Sequence, residues 1–290
     1  MISLISRLAL AMMWLLHFLP LPVARAVGTL LGLALYIAIP VRRHIVMTNL
    51  RLCFPERDES WRRRIARRHF IAFACSTLDR AYFWWASEAR LRRMVRFHGE
   101  EHLRDAEGKS TILLVPHFVG LDAAGVRVGM AMPVVSIYSR QKNPHFDARL
   151  YAGRFRFNRP LLLSRQDGMR RVLKALKDGL PFFYLPDMDF GAKDAVFVPF
   201  FGVPAATITG MSRLARLSGA RVVPCIAQMT RDGYDVNILP AWENYPGANL
   251  EADTRRMNTF IEHEILAMPE QYLWSHKRFK TRPPGEKGVY

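Results

Sequence analysis

The stretch of sequence that decides the fold is Thr111-Ile-Leu-Leu-Val-Pro-His-Phe-Val-Gly-Leu-Asp122. Its first five residues form an apolar, β-branched run of the length typical of a buried strand. Gly120 permits a tight turn, and a helix can then begin with Asp122 in its first turn, where a carboxylate is favoured. A single continuous helix would place the side chains of His117 and Asp122 about 140° apart, so a strand, a turn and a helix are predicted instead.

His117 and Asp122 are the chemical candidates in this stretch. A histidine exchanges a proton near neutral pH, and a nearby carboxylate can orient and charge-stabilise its ring. Such a pair is able to activate a hydroxyl group. The same spacing fits a histidine bonded to a helix-capping aspartate that has no chemical role, and the two interpretations stay open on this stretch alone.

The chain has 290 residues and a formal net charge of +17. This length allows one large or two small domains with a sizeable core. So strong a positive balance indicates acidic partners, namely nucleic acid, an anionic membrane surface or an acidic carrier protein. The three cysteines, Cys53, Cys75 and Cys225, are far apart and form no Cys-x-x-Cys, which argues against a disulfide framework and a zinc site.

Positive charge concentrates between Arg42 and His98. This segment contains 14 arginines, no lysine and five acidic residues, and several tryptophans and other aromatic residues lie among the arginines. Aromatic rings and basic side chains settle together at membrane interfaces, and they also bind nucleic acid. A solvated, arginine-rich helical face is the third interpretation.

Two apolar runs open the chain. Leu8–Ala24 and Ala26–Val41 contain no charged residue and are separated by Arg25. Either one run spans a membrane, which takes about 17 residues at least, or both form a helical hairpin that dips into it. A cleaved signal peptide is disfavoured because a second apolar run and a basic segment follow at once. Because positive charge flanks the apolar runs, the body of the protein is predicted to face the cytoplasm while it is held at the membrane. This membrane context favours a membrane interface over nucleic-acid binding for the arginine-rich segment.

Beyond Gly99 the pattern alternates between strands and helices. This alternation predicts an α/β fold with a mostly parallel central sheet flanked by helices. Ligands collect beyond the carboxyl ends of such strands, where His117 and Asp187 are both predicted to lie. The predicted strands are 111–116, 133–138, 160–163, 181–185, 221–227 and 234–239, and the predicted helices are 58–86, 87–95, 122–130, 146–157, 166–177, 208–217 and 251–267. The expected parts are an apolar membrane anchor (1–41), basic, aromatic-rich interface helices (42–98) and an α/β domain (99–290).

Other charged residues offer competing chemistry. Asp187-Met-Asp189 follows an apolar strand, and this Asp-x-Asp could bind a divalent metal and a sugar nucleotide, as in a glycosyltransferase, or orient a basic residue. Arg154 and Arg156 lie on a predicted basic helix, where they either contact a substrate phosphate or face solvent. The chain has no P-loop, no Gly-x-Gly-x-x-Gly and no Gly-x-Ser-x-Gly nucleophile motif.

Longer blocks of sequence surround these candidates. They are Leu185-Pro-Asp-Met-Asp-Phe-Gly191, Phe197-Val-Pro-Phe-Phe-Gly202, Pro204-Ala-Ala-Thr207 and Met268-Pro-Glu-Gln-Tyr-Leu-Trp274, the last followed by His276-Lys-Arg-Phe-Lys-Thr-Arg-Pro283. Together with His117-x4-Asp122, they resemble the late acyltransferases of bacterial lipid A biosynthesis, within the lysophospholipid acyltransferase-like superfamily. The resemblance runs from the N-terminal apolar segment nearly to Tyr290, and it implies the fold of glycerolipid acyltransferases.

The resemblance implies an O-acyltransferase on the cytoplasmic face of the bacterial inner membrane. Such an enzyme moves a fatty acyl chain from acyl carrier protein, or from acyl-CoA, to a hydroxyl of a lipid A precursor, with no cofactor and no metal. It implies His117 as the general base and Asp122 as its partner. The implied partners are the thioester donor, a phosphorylated lipid acceptor and anionic membrane lipids, with no nucleic acid.

Further site residues follow from the same resemblance. It implies substrate contacts for Arg154 and Asp187 and, as weaker transfers, for Arg165 and Asp189. One departure matters, since the lipid A branch usually carries Glu where this chain has Asp122, and Asp is typical of the glycerolipid branch. The acceptor therefore stays open between a lipid A precursor and another polar lipid, such as an ornithine lipid, a glycolipid or a lysophospholipid.

Overall fold

The computed structural model describes residues 2–104, 108–164 and 167–290. The strands in these residues are β1 (Val95–His98), β2 (Thr111–Leu114), β3 (Val135–Tyr138), β4 (Leu161–Ser164), β5 (Phe182–Tyr184), β6 (Ala195–Phe200), β7 (Val203–Ile208), β8 (Arg221–Thr230) and β9 (Gly233–Ile238). Seven of them form one sheet in the order β1-β9-β8-β2-β5-β3-β4, and β6 and β7 form a separate antiparallel hairpin. Every neighbouring pair in the large sheet is parallel except β8 and β9, so the predicted mostly parallel sheet is confirmed.

Helices account for most of the remaining described chain. They are α1 (Ile2–Leu16), α2 (Leu21–Ala38), α3 (Pro40–Cys53), α4 (Glu59–Trp85), α5 (Glu88–Met94), α6 (Glu100–Arg104), α7 (Leu121–Ala131), α8 (Pro144–Arg154), α9 (Gly168–Lys177), α10 (Gly210–Ser218) and α11 (Leu250–Ala267), followed by a 3-10 helix at Pro269–Gln271. The Asp58 carboxylate caps α4 by accepting a hydrogen bond from the Trp61 backbone N–H at 2.6 Å.

Alternate residues of β2 point into two hydrophobic clusters. Ile112 and Leu114 pack with Phe182 in one cluster, and Leu113 packs with Phe183 in the other. Because successive strand residues face opposite sides of a sheet, the two clusters lie on its two faces. All four residues of β2 are buried, which is typical of a parallel strand covered on both sides. The sheet is therefore flanked by helices on both faces, and the predicted α/β fold is confirmed.

Most of the predicted elements are present, with bounds that differ by a few residues. The sequence analysis missed β1, the β6–β7 hairpin, α3 and α6. It extended a basic helix as far as Val95, where the structure begins a strand. The hairpin contains Pro199 opposite Pro204, and proline weakens a strand prediction although it is tolerated in an isolated two-stranded hairpin.

The expected boundary near Gly99 does not separate two hydrophobic cores. Strand β1 precedes it and pairs with β9 at the edge of the sheet. Helices α3 and α4 contribute Leu50 and Phe70 to the same cluster as Ile112. The basic segment 42–98 is therefore built into the core of the α/β fold.

Helix α2 lies directly against α4. A Cβ atom at Gly28 would overlap Cys75, and one at Gly32 would overlap the backbone of Ile71. The glycines thus allow the two helix backbones to approach closely. Among the described residues, α2 is the helix that is long and apolar enough to cross a membrane, by length and composition alone.

A buried ion pair also fixes α2 to α4. Arg25 Nη2 lies 2.9 Å from Asp79 Oδ2, and the two side chains are 15% and 1% exposed. The Tyr234 hydroxyl, on β9, donates a hydrogen bond to the same carboxylate oxygen at 2.6 Å. Helix α2, helix α4 and strand β9 are therefore joined at one carboxylate.

Replacing Arg25 should show how strongly this junction holds the fold. We expect Arg25→Met to lower the free energy of unfolding by about 3–5 kcal/mol, because the Asp79 carboxylate stays buried without its cation. Arg25→Met combined with Asp79→Leu should recover most of that loss. Unfolding of the protein in detergent micelles measures both values, and a double variant as unstable as the single one would contradict the prediction.

Candidate active site

His117 and Asp187 meet at the carboxyl ends of two neighbouring strands. Leu114 of β2 pairs in register with Tyr184 of β5, and each candidate follows its strand by three residues. The His117 backbone N–H donates to Asp187 Oδ2 at 2.8 Å. The His117 ring nitrogen Nδ1 lies 2.6 Å from Asp187 Oδ1. The carboxylate therefore holds both the backbone and the ring of the histidine.

The Asp187 carboxylate is buried, with 1% of its side chain exposed, whereas the His117 side chain is 16% exposed. Burial by itself raises the pKa of Asp187. The nearby His117 ring and the hydrogen bonds from His117 outweigh burial, and the pKa ends below its usual value of 3.8. Asp187 is therefore a carboxylate at neutral pH, and it leaves Nε2 as the ring nitrogen available to a ligand.

Asp122 has a different partner from the one that the sequence predicted. Its Oδ2 accepts a hydrogen bond from Arg80 Nε at 2.6 Å, while Nδ1 of His117 is bonded to Asp187 instead. The reason lies in the position of α7, which packs mainly against β8, β9, β1 and α4. Asp122, in the first turn of α7, is therefore carried towards α4 and its Arg80.

Two guanidinium groups lower the pKa of Asp122. Burial raises the pKa of its carboxyl, but Arg80 and then Arg154 act in the opposite direction, and the pKa ends below its usual value. Arg154 is exposed at the end of α8, with its guanidinium carbon 5.6 Å from the centre of the Tyr138 ring. The sequence analysis gave no signal for Arg80, because it is one arginine of many in the basic segment.

The other predicted site residues have separate surroundings. Asp189 accepts hydrogen bonds from the Thr281 backbone at 2.6 Å, the Thr281 hydroxyl at 2.8 Å and the Gly191 backbone at 2.9 Å. Arg156 donates to two backbone carbonyl groups at the end of α4. Asp189 and Arg156 therefore serve local structure, and Arg165 lies outside the described residues.

The Asp-x-Asp pattern does not bring its two carboxylates to one point. Asp187 is bonded to His117, and Asp189 is bonded to the C-terminal segment around Thr281. Within residues 2–104, 108–164 and 167–290, no group of three or more His, Cys, Asp or Glu side chains could hold a metal ion. The donor set therefore gives the metal-dependent glycosyltransferase interpretation no support.

A second histidine lies close to the site and was not predicted. His276 Nε2 accepts a hydrogen bond from the Asp189 backbone N–H at 3.0 Å. Burial lowers the pKa of His276 to about 4, and the charges of Arg278 and His117 act in the same direction. His276 is therefore neutral at pH 7 and can accept this hydrogen bond. It joins the C-terminal segment to the loop that carries Asp187.

His117 and Asp122 line a cavity of about 870 Å³. This volume falls in the range of ligand-binding cavities, which are mostly apolar with a few polar groups. Polar and charged residues of the lining include Tyr138, Arg154, Lys193, Asp194 and Arg213. Its apolar and glycine residues include Phe83, Trp84, Leu121, Gly125, Val126, Gly129, Val134, Leu150, Phe157, Phe183 and Leu185.

The fold and the site define an α/β protein in which His117, bonded to a buried aspartate, lines a largely apolar cavity. The chain belongs to the bacterial lipid A biosynthesis acyltransferase family, whose model matches residues 2–281. The family resemblance seen in the sequence is thereby confirmed. The match covers the N-terminal helices, the sheet and the whole cavity.

Individual relatives agree with this assignment. The lipid A biosynthesis lauroyltransferase of Escherichia coli is 38% identical over 98% of this chain and 94% of its own length. The lipid A biosynthesis palmitoleoyltransferase of the same organism is 32% identical over 97% of this chain and 92% of its own length. Among solved structures, the 1-acyl-sn-glycerophosphate acyltransferase PlsC of Thermotoga maritima is similar to this chain with a TM-score of 0.41 at 13% identity, covering 83% of this chain and 95% of that one.

The lowered pKa of Asp187 predicts a pH-dependent stability difference. We expect Asp187→Asn to lower the free energy of unfolding by about 1–3 kcal/mol at pH 7, because two buried donors of His117 lose a charged acceptor. The wild type is more stable than the variant only while Asp187 is ionised. The difference in the free energy of unfolding should therefore begin to shrink at about pH 4, where Asp187 titrates in the unfolded chain, and disappear as the pH falls through the lower pKa of Asp187 in the folded protein. Unfolding measurements at several pH values test this.

Asp122→Asn is the matched control for Asp187→Asn. Its partner Arg80 is 40% exposed, so solvent can replace the lost contact and the cost should be smaller. An equal loss in both variants, or a difference for Asp187→Asn that does not depend on pH, would show that Asp187 is not the buried anchor of His117.

Proposed function

We propose that this acyltransferase moves a fatty acyl chain from a thioester donor to a hydroxyl group of a lipid A precursor, with His117 as the general base. The observation that carries the proposal is that His117, bonded to the buried Asp187, lines a largely apolar cavity in a chain of the lipid A acyltransferase family. The cavity supplies space for an acyl chain, and the histidine supplies a proton acceptor beside it.

The proposed step transfers the acyl group directly. His117 Nε2 removes the proton of the acceptor hydroxyl while the oxygen attacks the thioester carbonyl carbon. The new C–O bond forms, the C–S bond breaks, and the proton passes from the histidine to the departing thiolate. Asp187 holds Nδ1 as the protonated ring nitrogen and stabilises the imidazolium that forms. This assigns to Asp187 the role that the sequence analysis gave to Asp122.

Arg80 and Arg154 supply positive charge beside this pair. Both act on Asp122, whose single negative charge can compensate only one of the two guanidinium groups. Arg80 uses Nε for Asp122 and is 40% exposed, which leaves its terminal N–H groups free for an anion. A phosphate of the acceptor lipid fits this arrangement, since guanidinium groups bind phosphate through paired hydrogen bonds.

The donor and the acceptor follow from charge and family. A net charge of +17 attracts acidic acyl carrier protein, which we propose as the donor in preference to acyl-CoA. A lipid A precursor is the proposed acceptor, because curated relatives over nearly the full chain are named lipid A acyltransferases. Another phosphorylated polar lipid is the alternative acceptor.

Replacing the base tests the reaction directly. We expect His117→Gln to lower kcat by about 10²–10⁴-fold with little change in KM, because general-base assistance acts in the transition state. Transfer of radiolabelled acyl groups from acyl carrier protein to a tetra-acylated lipid A precursor measures the rate. His44→Gln, at a histidine outside the cavity, is the matched control and should transfer normally. Wild-type turnover in His117→Gln would end the assignment of the base.

We propose that α1 and α2 hold the protein on the cytoplasmic face of the inner membrane without crossing it. Helix α2 runs beside α4 in the opposite direction, since Arg25 contacts Asp79 while the Tyr36 ring packs edge-to-face against the Phe70 ring. If α2 crossed the bilayer, α4 would have to enter it with its arginines, at about 2.5–3.5 kcal/mol for each. Helices α1 and α2 instead expose apolar side chains along their length, including Leu4, Leu8, Met12, Leu15, Val27, Leu30 and Ile37.

Chemical labelling at the two ends of α2 distinguishes the arrangements. Pro20→Cys and Val41→Cys place a thiol at either end, and the three native cysteines are buried. In sealed inside-out inner-membrane vesicles, a membrane-impermeant maleimide should modify both positions, because both ends of an in-plane helix remain on the cytoplasmic side. Modification of just one end before the vesicles are opened would show that α2 crosses the membrane.

A further inference from the structure

One lobe of the cavity lies between α7 and the sheet, and we call it the α7 lobe. Ser136 of β3 pairs in register with Phe183 of β5, so both side chains face the same side of the sheet. Gly125 and Gly129 of α7 and Val134 also line this lobe. The strands that α7 packs against most closely are β8, β9 and β1, which lie on the other side of β2 from β5 and β3.

Two glycines form the α7 side of this lobe. Gly125 and Gly129 are four residues apart and therefore lie on one face of the helix. A Cβ atom at Gly125 would have the Phe183 ring carbon Cζ as its nearest neighbour, at 4.0 Å, and a Cβ atom at Gly129 would meet no heavy atom within 4 Å. Neither position requires glycine for backbone conformation or close approach. Glycine makes a helix interior less stable than alanine would. What these two glycines provide in return is empty space beside the helix.

The sheet side of the lobe carries an unpaired hydroxyl group. Ser136 is 4% exposed, and its Oγ has no hydrogen-bond partner in the part of the chain that the structure describes. Buried hydroxyl groups in folded proteins nearly always have a partner. Within the described residues, no polar group of the protein therefore reaches across the lobe to Ser136. Apolar side chains of the lining near these residues include Val126, Val134, Leu150, Phe157 and Phe183.

We propose that Gly125 and Gly129 set the length of the acyl chain that the enzyme transfers, an inference that rests on the proposed function. A carbonyl group beside His117 places the start of the chain near Asp122. Along the axis of α7, Gly125 lies about 4.5 Å beyond Asp122 and Gly129 about 10 Å beyond it. The chain runs along this glycine face, with its methyl end in the region of Gly129 and Ser136. A side chain at either glycine would occupy the space of the methylene groups that pass it.

Competition between donors tests the assignment. Purified full-length enzyme in detergent receives an equimolar mixture of decanoyl, lauroyl, myristoyl and palmitoyl acyl carrier protein with a tetra-acylated lipid A precursor, and mass spectrometry gives the product ratios. Gly129→Leu should shift the product towards shorter chains by about tenfold or more per displaced methylene group. Gly125→Leu lies nearer to His117, so its longest accepted chain should be shorter than that of Gly129→Leu. Ala131→Leu, at an exposed position of the same helix, should keep the wild-type profile.

Smaller variants keep the test independent of folding. Gly129→Ala favours the helix and adds one carbon, so it should unfold no earlier than the wild type and still favour shorter chains. An unchanged chain profile in Gly129→Leu, Gly125→Leu and Gly129→Ala, with transfer retained, would overturn the proposal. Absence of product from the wild type with every thioester would instead overturn the proposed function, and the two failures are therefore distinguishable.

Discussion

The pairing of β2 with β5 is the constraint on which the site depends. Leu114 and Tyr184 are in register, and three further residues on each strand bring His117 and Asp187 together. The Asp187 carboxylate binds the His117 backbone and ring at once, so a shift of one strand by one residue would break both contacts. The position of His117 is therefore fixed by the centre of the sheet, as the general base proposed above requires.

The sequence was sufficient to place this site but not to pair its residues. An apolar strand before His117 and another before Asp187 locate both at the same edge of a parallel sheet, and the structure agrees. Order along the chain favoured Asp122 as the partner because it follows by five residues. The lateral position of α7 instead carries Asp122 towards Arg80 and leaves His117 to Asp187. That position depends on contacts with elements that are distant in sequence, among them β8, β9, β1 and α4. A local pattern cannot report such packing.

Helix α4 connects helix α2 with the site through two consecutive residues. Asp79 is buried against Arg25 of α2, and Arg80 contacts Asp122 at the cavity. Adjacent residues on a helix point about 100° apart, so one turn of α4 serves both neighbours. This explains why residues 42–98 could not be separated from the α/β fold as a peripheral segment. Through these two residues, α4 contacts both α2 and the wall of the cavity.

The charge arrangement also changes what the shorter side chain at position 122 means. The family resemblance left the acceptor open because this chain has Asp122 where the lipid A branch usually carries Glu. In the structure, Asp122 contacts Arg80, and His117 is already held by Asp187. The length of the side chain at this position therefore affects where Arg80 lies relative to the cavity, while the contact between His117 and Asp187 does not depend on it. Any difference in acceptor between this chain and relatives with Glu would act through the position of the Arg80 guanidinium, because phosphate recognition depends on where its free N–H groups point.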